Sequence, residues 1–139
     1  MTEFVSDEKE IPYSDESVFR VLSDLSKLEL VEDKLPEDRI SDFSCDKDSC
    51  SFSVDPFGSV TFVVTERNPN ININFKSQGL PFDVYASVEL VAKSKNDTVM
   101  KLIVRADMNS FVKQMVSTPM REGIDKLSEI LASFSYDEI

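Results

Sequence analysis

The side chains that could carry out chemistry in this chain are few, because its 139 residues include no histidine and only two cysteines. Histidine is the side chain most often used for proton transfer near neutral pH. Its absence excludes a Ser–His or Cys–His nucleophile pair within the chain. Two thiols without an imidazole also fall short of the four ligands of a structural zinc site. The composition therefore predicts neither a resident metal nor a cofactor.

The two thiols, Cys45 and Cys50, flank a polar turn at Asp46-Lys47-Asp48-Ser49. They can face each other across the hairpin that such a turn produces. Two interpretations are open: a disulfide-exchange site, or a reduced pair that packs beside Phe43 and Phe52. The second is favoured because thiols stay reduced in the cytosol.

An enzyme that stabilises an enolate or moves protons needs polar groups inside its cavity. The nearest candidates are Tyr13, Tyr85, Glu89, Arg105 and Asp107. All but Tyr13 fall in the outward register of their predicted strands, so we expect them at the surface unless a one-residue bulge reverses the register. Tyr13 lies at a strand-to-helix junction. Its favoured role is to pack over the start of the helix as a hydrophobic staple.

The net charge of −11 argues against binding to nucleic acid or to anionic membranes, both of which attract basic proteins. No stretch approaches the ~18 uninterrupted apolar residues of a membrane helix. The first residues resemble no secretory signal. We therefore expect a cytoplasmic protein without integral membrane association. The acids favour solubility, with an acidic docking face for a basic protein partner as the alternative.

Apolar and polar side chains alternate in the middle of the chain, which is the pattern of half-buried strands. The alternation runs from Phe43 to Val54, where it holds two strands, and then from Val60 to Val64, Ile71 to Phe75, Phe82 to Leu90 and Met100 to Met108. Six consecutive strands with short connections predict an antiparallel meander. The polar positions, including a run of alternating asparagines from residue 70 to 74, are expected to face water.

Helical patterns precede and follow these strands. A first strand over Thr2–Ile11 ends at Pro12, Ser14 caps an amphipathic helix, and a short second helix runs through Leu28 and Val31. The last element is a long helix from residue 110 to 134, capped by residue 109 or 110. A proline at position 119 should kink it, and a glycine at position 123 softens the same region.

The opening pattern Ile11-Pro12-Tyr13-Ser14, Val18-Phe19 and Leu22-Ser23-Asp24-Leu25, together with the helix from Met115 to Leu127, resembles the START-like or helix-grip superfamily. This is the SRPBCC group of polyketide cyclases, dehydrases and lipid-transport proteins. The resemblance implies one α+β domain over residues 1–139, with a curved seven-stranded antiparallel sheet around the C-terminal helix in the order β-α-α-β6-α. Members of the superfamily bind lipids, sterols or polyketides in a cavity, and some are enzymes or chaperone partners.

A cavity between sheet and helix would be lined by apolar side chains, although the same residues would also suit a filled core. The kink at Pro119 could leave room beneath the helix, and the segment from Leu28 to Leu35 could cover the open end. The expected lining residues are Phe43, Phe52, Phe62, Phe75, Phe82, Val84, Leu102, Val104, Phe111, Met115, Pro119, Met120 and Ile124.

Three functions follow from this interpretation. The first is a non-enzymatic carrier or sensor of a small hydrophobic molecule. The second is a protein-interaction module with a filled core and an exposed apolar patch. The third, least favoured because the predicted inward positions carry no polar group, is a cyclase-like or dehydratase-like enzyme.

Overall fold

The computed structural model describes residues 1–34, 40–54 and 57–139. Two helices, a 3₁₀ segment and eight strands follow one another in these ranges. They are β1 (Thr2–Val5), β2 (Lys9–Ile11), α1 (Asp15–Leu22), the 3₁₀ segment (Leu25–Lys34), β3 (Ile40–Cys45), β4 (Ser49–Val54), β5 (Gly58–Asn68), β6 (Asn72–Gln78), β7 (Val84–Ser94), β8 (Asp97–Ala106) and α2 (Ser110–Ala132).

All strands join one antiparallel sheet in the order β1-β8-β7-β6-β5-β4-β3, and β2 also pairs with β8. Strands β3 to β8 form the predicted meander, and the N-terminal strand extends the sheet by pairing with β8. The sheet and the long C-terminal helix confirm the predicted helix-grip α+β fold.

The predicted first strand is divided in two. Val5 pairs with Ile103, whereas Lys9 pairs with Met100, so the register on β8 shifts by one residue between β1 and β2. Ser6 occupies the break: its hydroxyl accepts a hydrogen bond from the backbone N–H of Leu102 at 2.9 Å. A single inserted residue of this kind produces a bulge, which sequence alternation alone does not reveal.

Both helices begin where capping chemistry predicts. The side chain of Ser14 accepts a hydrogen bond from the backbone of Ser17, and that of Asn109 accepts one from Val112. The predicted second helix is the 3₁₀ segment, while its predicted end at residues 35 and 36 lies outside the described residues. No helix in the described ranges combines the length and the hydropathy needed to cross a bilayer.

The helices cover one part of the sheet. Helix α2 packs against β1, β2, β8 and the 3₁₀ segment, and α1 packs against β7 and β8. A cluster of fully buried apolar side chains lies here and includes Phe4, Ile11, Val18, Val21, Ile73, Met100 and Tyr136. The core therefore lies toward the β1–β8–β7 end of the sheet.

The turns also follow the sequence signals. Asp46 begins the β3–β4 turn, and its carboxylate accepts hydrogen bonds from the backbone N–H groups of Asp48 and Ser49. Asn70, between β5 and β6, has a φ of 64°, a left-handed conformation that asparagine tolerates. Gly79 has a φ of +94°, and a Cβ there would lie 2.9 Å from the backbone oxygen of Ser59. Glycine is therefore required where this turn approaches β5.

Candidate functional site

The candidate site is the inner face of the sheet, on the side of α2. Register places Cys50 opposite Phe62 and Val64 opposite Phe75, and the row continues from Phe75 to Ala86. Because strand side chains alternate, the predicted inward residues of β4 to β8 share this one face. The face is apolar along most of its length.

Three phenylalanine rings form a continuous row across β3, β4 and β5. The centroids of Phe43 and Phe52 are 6.2 Å apart with planes at 29°, and those of Phe52 and Phe62 are 6.1 Å apart at 15°. All three side chains are only half-buried. We call these three residues the aromatic row. Its partly buried rings contrast with the fully buried core near β1, β7 and β8.

The position of α2 explains this contrast. Its partners in the sheet are β1, β2 and β8, whereas the aromatic row lies on β3 to β5, at the opposite end of the strand order. The 3₁₀ segment packs against β3, β4 and α2, and so it lies over the end that carries the aromatic row. The Glu29 carboxylate of this segment accepts a hydrogen bond from the Cys45 backbone N–H at 3.0 Å.

Other predicted lining residues divide between core and periphery. Val84, Leu102 and Ile124 are buried, with exposures of 2%, 5% and 8%. Half-buried side chains that pack against the core are Phe75, Val104 and Met120. Phe82, also half-buried, lies shortly before β7, and its ring is 5.6 Å from that of Phe57, which lies just before β5.

The expectation that the start of α2 faces the sheet is corrected. Phe111 and Met115 are 74% and 44% exposed, and Pro119 is exposed as well. At ~100° per residue, Phe111 and Met115 lie roughly opposite the stripe that begins at Val116. The apolar spacing therefore assigned residues from the buried and the exposed side of α2 to a single face. Pro119 lies within α2, which extends from Ser110 to Ala132, so the proline does not end the helix.

The polar groups buried beside this face serve the backbone. Ser77 accepts a hydrogen bond from the Val84 N–H at 3.0 Å, and Thr98 donates one to the Tyr13 carbonyl at 2.8 Å. Ser128 donates to the Asp125 carbonyl at 2.8 Å. Within the described ranges, no buried side-chain nitrogen or oxygen lacks a partner. Each of these three hydroxyls therefore supports the local backbone.

Shifted pKa values arise in turns and in the C-terminal segment. Burial raises the pKa of Tyr136, whose hydroxyl donates to the Leu131 carbonyl at 2.6 Å. The Ser26 hydroxyl lowers the pKa of Asp24, and backbone N–H groups lower that of Asp46. The pKa of Tyr13 is raised by desolvation and by Asp137. Each shift has a local structural cause, and none identifies an acid–base pair in the candidate site.

The polar candidates for catalysis lie elsewhere, as their register predicts. Tyr85, Glu89 and Arg105 point away from α2, and Arg105 pairs with Glu3 at 2.7 Å. Asp107 is exposed at the end of β8.

Tyr13 is half-buried, with its ring 5.8 Å from that of Tyr136. The segment from Phe134 to Tyr136, which the sequence pattern did not single out, therefore anchors this junction. The Arg20 guanidinium holds it by donating to the Tyr136 and Ile139 backbone oxygens at 2.9 and 2.8 Å.

The two cysteines form a disulfide, which corrects the favoured prediction of a reduced pair. Cys45 and Cys50 are directly opposite each other in the β3–β4 register, with Cα atoms 4.1 Å apart. Cys50 is 7% exposed and pairs in register with Phe62. The bond therefore fastens the hairpin that carries two rings of the aromatic row.

No protein-family model and no curated protein sequence matches the chain. Solved structures do match. Norcoclaurine synthase from Thalictrum flavum, in complex with dopamine and hydroxybenzaldehyde, superposes with a TM-score of 0.70 at 11% identity, over 94% of this chain and 84% of that one. A protein from Thermus thermophilus gives 0.67 at 17% identity, over 94% of each chain. A START superfamily protein from Mycobacterium smegmatis gives 0.60 at 13% identity, again over 94% of each. The chain therefore has a START-like helix-grip fold.

Proposed function

We propose that the protein binds a small hydrophobic molecule on the inner face of the sheet, at the aromatic row and beneath the 3₁₀ segment, as a carrier or sensor and not as a catalyst. The observation that carries this proposal is the half-buried aromatic row on a face that is otherwise the protein core. A ligand that removed about 100 Å² of such surface from water would gain about 2.5 kcal/mol. Clefts lined mainly by apolar and aromatic side chains are typical of small-molecule sites.

The fold comparison shows that this fold can hold small molecules. The Thalictrum flavum structure contains two small aromatic molecules, dopamine and hydroxybenzaldehyde, within a fold shared over most of both chains. At 11% identity the likeness extends to the fold alone. We therefore take the ligand class from the side chains of this chain, which favour an apolar molecule.

The preference for a carrier over an enzyme rests on the polar groups. Catalysis by proton transfer needs a side chain within hydrogen-bond reach of the reacting atom. The buried hydroxyls of Ser77, Thr98 and Ser128 already bond the backbone. Two convergent polar side chains beside a bound ligand would instead favour a cyclase-like enzyme.

A second candidate function has its own observation. Phe111 and Met115 are exposed and lie one turn apart on α2. Such a pair suits a protein-interaction module, with the acidic surface steering a basic partner. This function would depend on Phe111 and not on the aromatic row, so the two candidates are separable.

Binding of the neutral fluorescent probe N-phenyl-1-naphthylamine, with native mass spectrometry of freshly purified protein, tests the proposal. Replacing the central ring in Phe52→Ala should weaken probe binding about tenfold or more, because a buried phenyl group contributes ~1.5–3 kcal/mol. Phe111→Ala removes the same atoms from an exposed position and should leave binding unchanged.

Circular dichroism of both variants checks that the fold is intact. A filling variant, Ala86→Phe on the same inner face, provides a second measurement if Phe52→Ala does not fold. Equal binding by the wild type, Phe52→Ala and Ala86→Phe would refute the proposed site. Loss of a co-purifying protein in Phe111→Ala alone would favour the interaction module.

A further inference from the structure

A groove of about 400 Å³ lies on the outer face of the sheet, on the side opposite α2. Its volume falls within the range of small-molecule sites. The side chains that give it chemical character come from β5, β6, β7 and β8, and they are Thr65, Asn74, Tyr85, Ser87, Glu89 and Arg105.

The register explains why an outer sheet face has a groove. Asn74 pairs with Ser87, which pairs with Ile103, and this row forms the floor. The flanking rows carry longer side chains: Tyr85 pairs with Arg105 on one side, and Glu89 is the next outward residue of β7 on the other. The side chains of this row are shorter than most of those in the two flanking rows, which leaves a trench that crosses the strands. At ~4.8 Å between strands, its course from β5 to β8 is ~14 Å long.

The two charged side chains of the groove already face opposite charges. Arg105 pairs with Glu3 at 2.7 Å, and Glu89 lies 3.8 Å from the ammonium group of Lys101. An ionic ligand would have to compete with these pairs. In a chain of net charge −11, this compensated region favours a neutral ligand.

The hydrogen-bonding groups of the floor are available. Within the described part of the chain, the side chains of Thr65, Asn74 and Ser87 take part in no hydrogen bond or ion pair. An amide and two hydroxyls offer both donors and acceptors, as do vicinal hydroxyl groups. Tyr85, 36% exposed with Lys76 at 5.6 Å from its ring, adds an apolar surface beside them.

We infer that this outer groove binds a neutral, hydroxyl-rich molecule of the saccharide class, independently of the inner face. Amide and hydroxyl groups would bond the sugar hydroxyls, and the Tyr85 ring and Ile103 would contact its C–H surfaces. Because a neutral hydrogen bond contributes little net free energy in water, we expect weak binding in the millimolar range.

Titration of ¹⁵N-labelled protein with maltose, cellobiose and lactose, followed by NMR, tests the inference. At least one disaccharide should shift the amide signals of Asn74, Ser87 and their strand neighbours. Ser87→Leu, which fills the floor, should weaken that binding about tenfold or more. Ser53→Leu, a matched change on the outer face of β4, should leave it unchanged. Glucuronate should bind more weakly than the neutral sugars.

Absence of saturable shifts with all three disaccharides would overturn the inference, as would shifts confined to α2 and the aromatic row. So would equal affinity in Ser87→Leu and the wild type. If Ser87→Leu does not fold, Asn74→Leu tests the same floor. Binding of N-phenyl-1-naphthylamine should be the same in Ser87→Leu as in the wild type, so failure at one face is distinguishable from failure at the other.

Discussion

At the scale of single residues, the buried polar atoms are bonded to the backbone, and Tyr136 is the clearest example. Tyr136 is completely buried, yet its hydroxyl does no more than bond the Leu131 carbonyl at the end of α2. Its ring contacts those of Tyr13 and Phe134 at 5.8 Å each. The raised pKa of Tyr136 thus belongs to a residue that anchors the C-terminal segment.

Replacing this anchor in Tyr136→Phe should lower the free energy of unfolding by about 1 kcal/mol at pH 7, because the Leu131 carbonyl loses the shorter of its hydrogen bonds and retains the 3.4 Å bond from the Phe134 N–H. Burial raises the pKa of Tyr136 above its ordinary value of 10.0, so the stabilising effect is complete below that pH. Above it, the unfolded tyrosine ionises while the native one keeps its proton, and stability falls by up to ~1.4 kcal/mol per pH unit.

Urea unfolding at pH 7 and near pH 11 measures both effects. The wild type should lose more stability than Tyr136→Phe between these two pH values. The difference in unfolding free energy between the two proteins should therefore be smaller near pH 11 than at pH 7. Tyr85→Phe, a change at a half-exposed outer position, serves as the control and should follow the wild type at pH 7. A constant difference between wild type and Tyr136→Phe at both pH values would contradict the assignment.

At the scale of elements, strand alternation predicted most of the sheet because side chains in strands point to opposite faces with a period of two. The buried face of α2 was harder to predict from the sequence. Phe111 and Met115 continue the apolar spacing of the helix, but in the structure they lie on its exposed face. The break between β1 and β2 could not be predicted, because one inserted residue hardly changes the sequence pattern. The outer groove depends on the cross-strand neighbours of Ser87, which only register can supply.

The disulfide is the covalent feature of the β3–β4 hairpin, and its effect can be estimated from the loop it closes. Cys45 and Cys50 are five residues apart. The chain-entropy relation for so short a loop gives about 2 kcal/mol of stabilisation. Reduction should therefore lower the urea concentration at the midpoint of unfolding. The slope of the unfolding free energy against urea concentration should change little.

Unfolding with and without dithiothreitol measures this contribution. The double variant Cys45→Ser/Cys50→Ser should have the stability of the reduced protein and should be insensitive to the reductant. Because this hairpin carries Phe43 and Phe52, reduction should also weaken N-phenyl-1-naphthylamine binding. Identical stability in both conditions would show that the bond contributes nothing to the fold.

At the scale of the whole molecule, the inner and outer faces of one sheet have different chemistry. The inner face carries apolar residues toward α2, and the outer face carries paired charges, amides and hydroxyls. Both follow from the same alternation, so one strand such as β7 contributes to both faces at once. This arrangement lets a substitution on one face be tested without altering the other.

The net charge of −11 is also a property of the whole molecule, and it should make stability depend on salt. Like charges confined to a folded domain repel one another more than in the unfolded chain. The few exposed ion pairs, such as Arg105 with Glu3, offset this only slightly. We therefore expect the Tm to rise as sodium chloride increases from ~10 mM to ~150 mM, where the screening length falls from ~30 Å to ~8 Å. Tetramethylammonium chloride should have a similar effect if screening is the cause, and a Tm that falls with salt would mean that the ion pairs outweigh the repulsion.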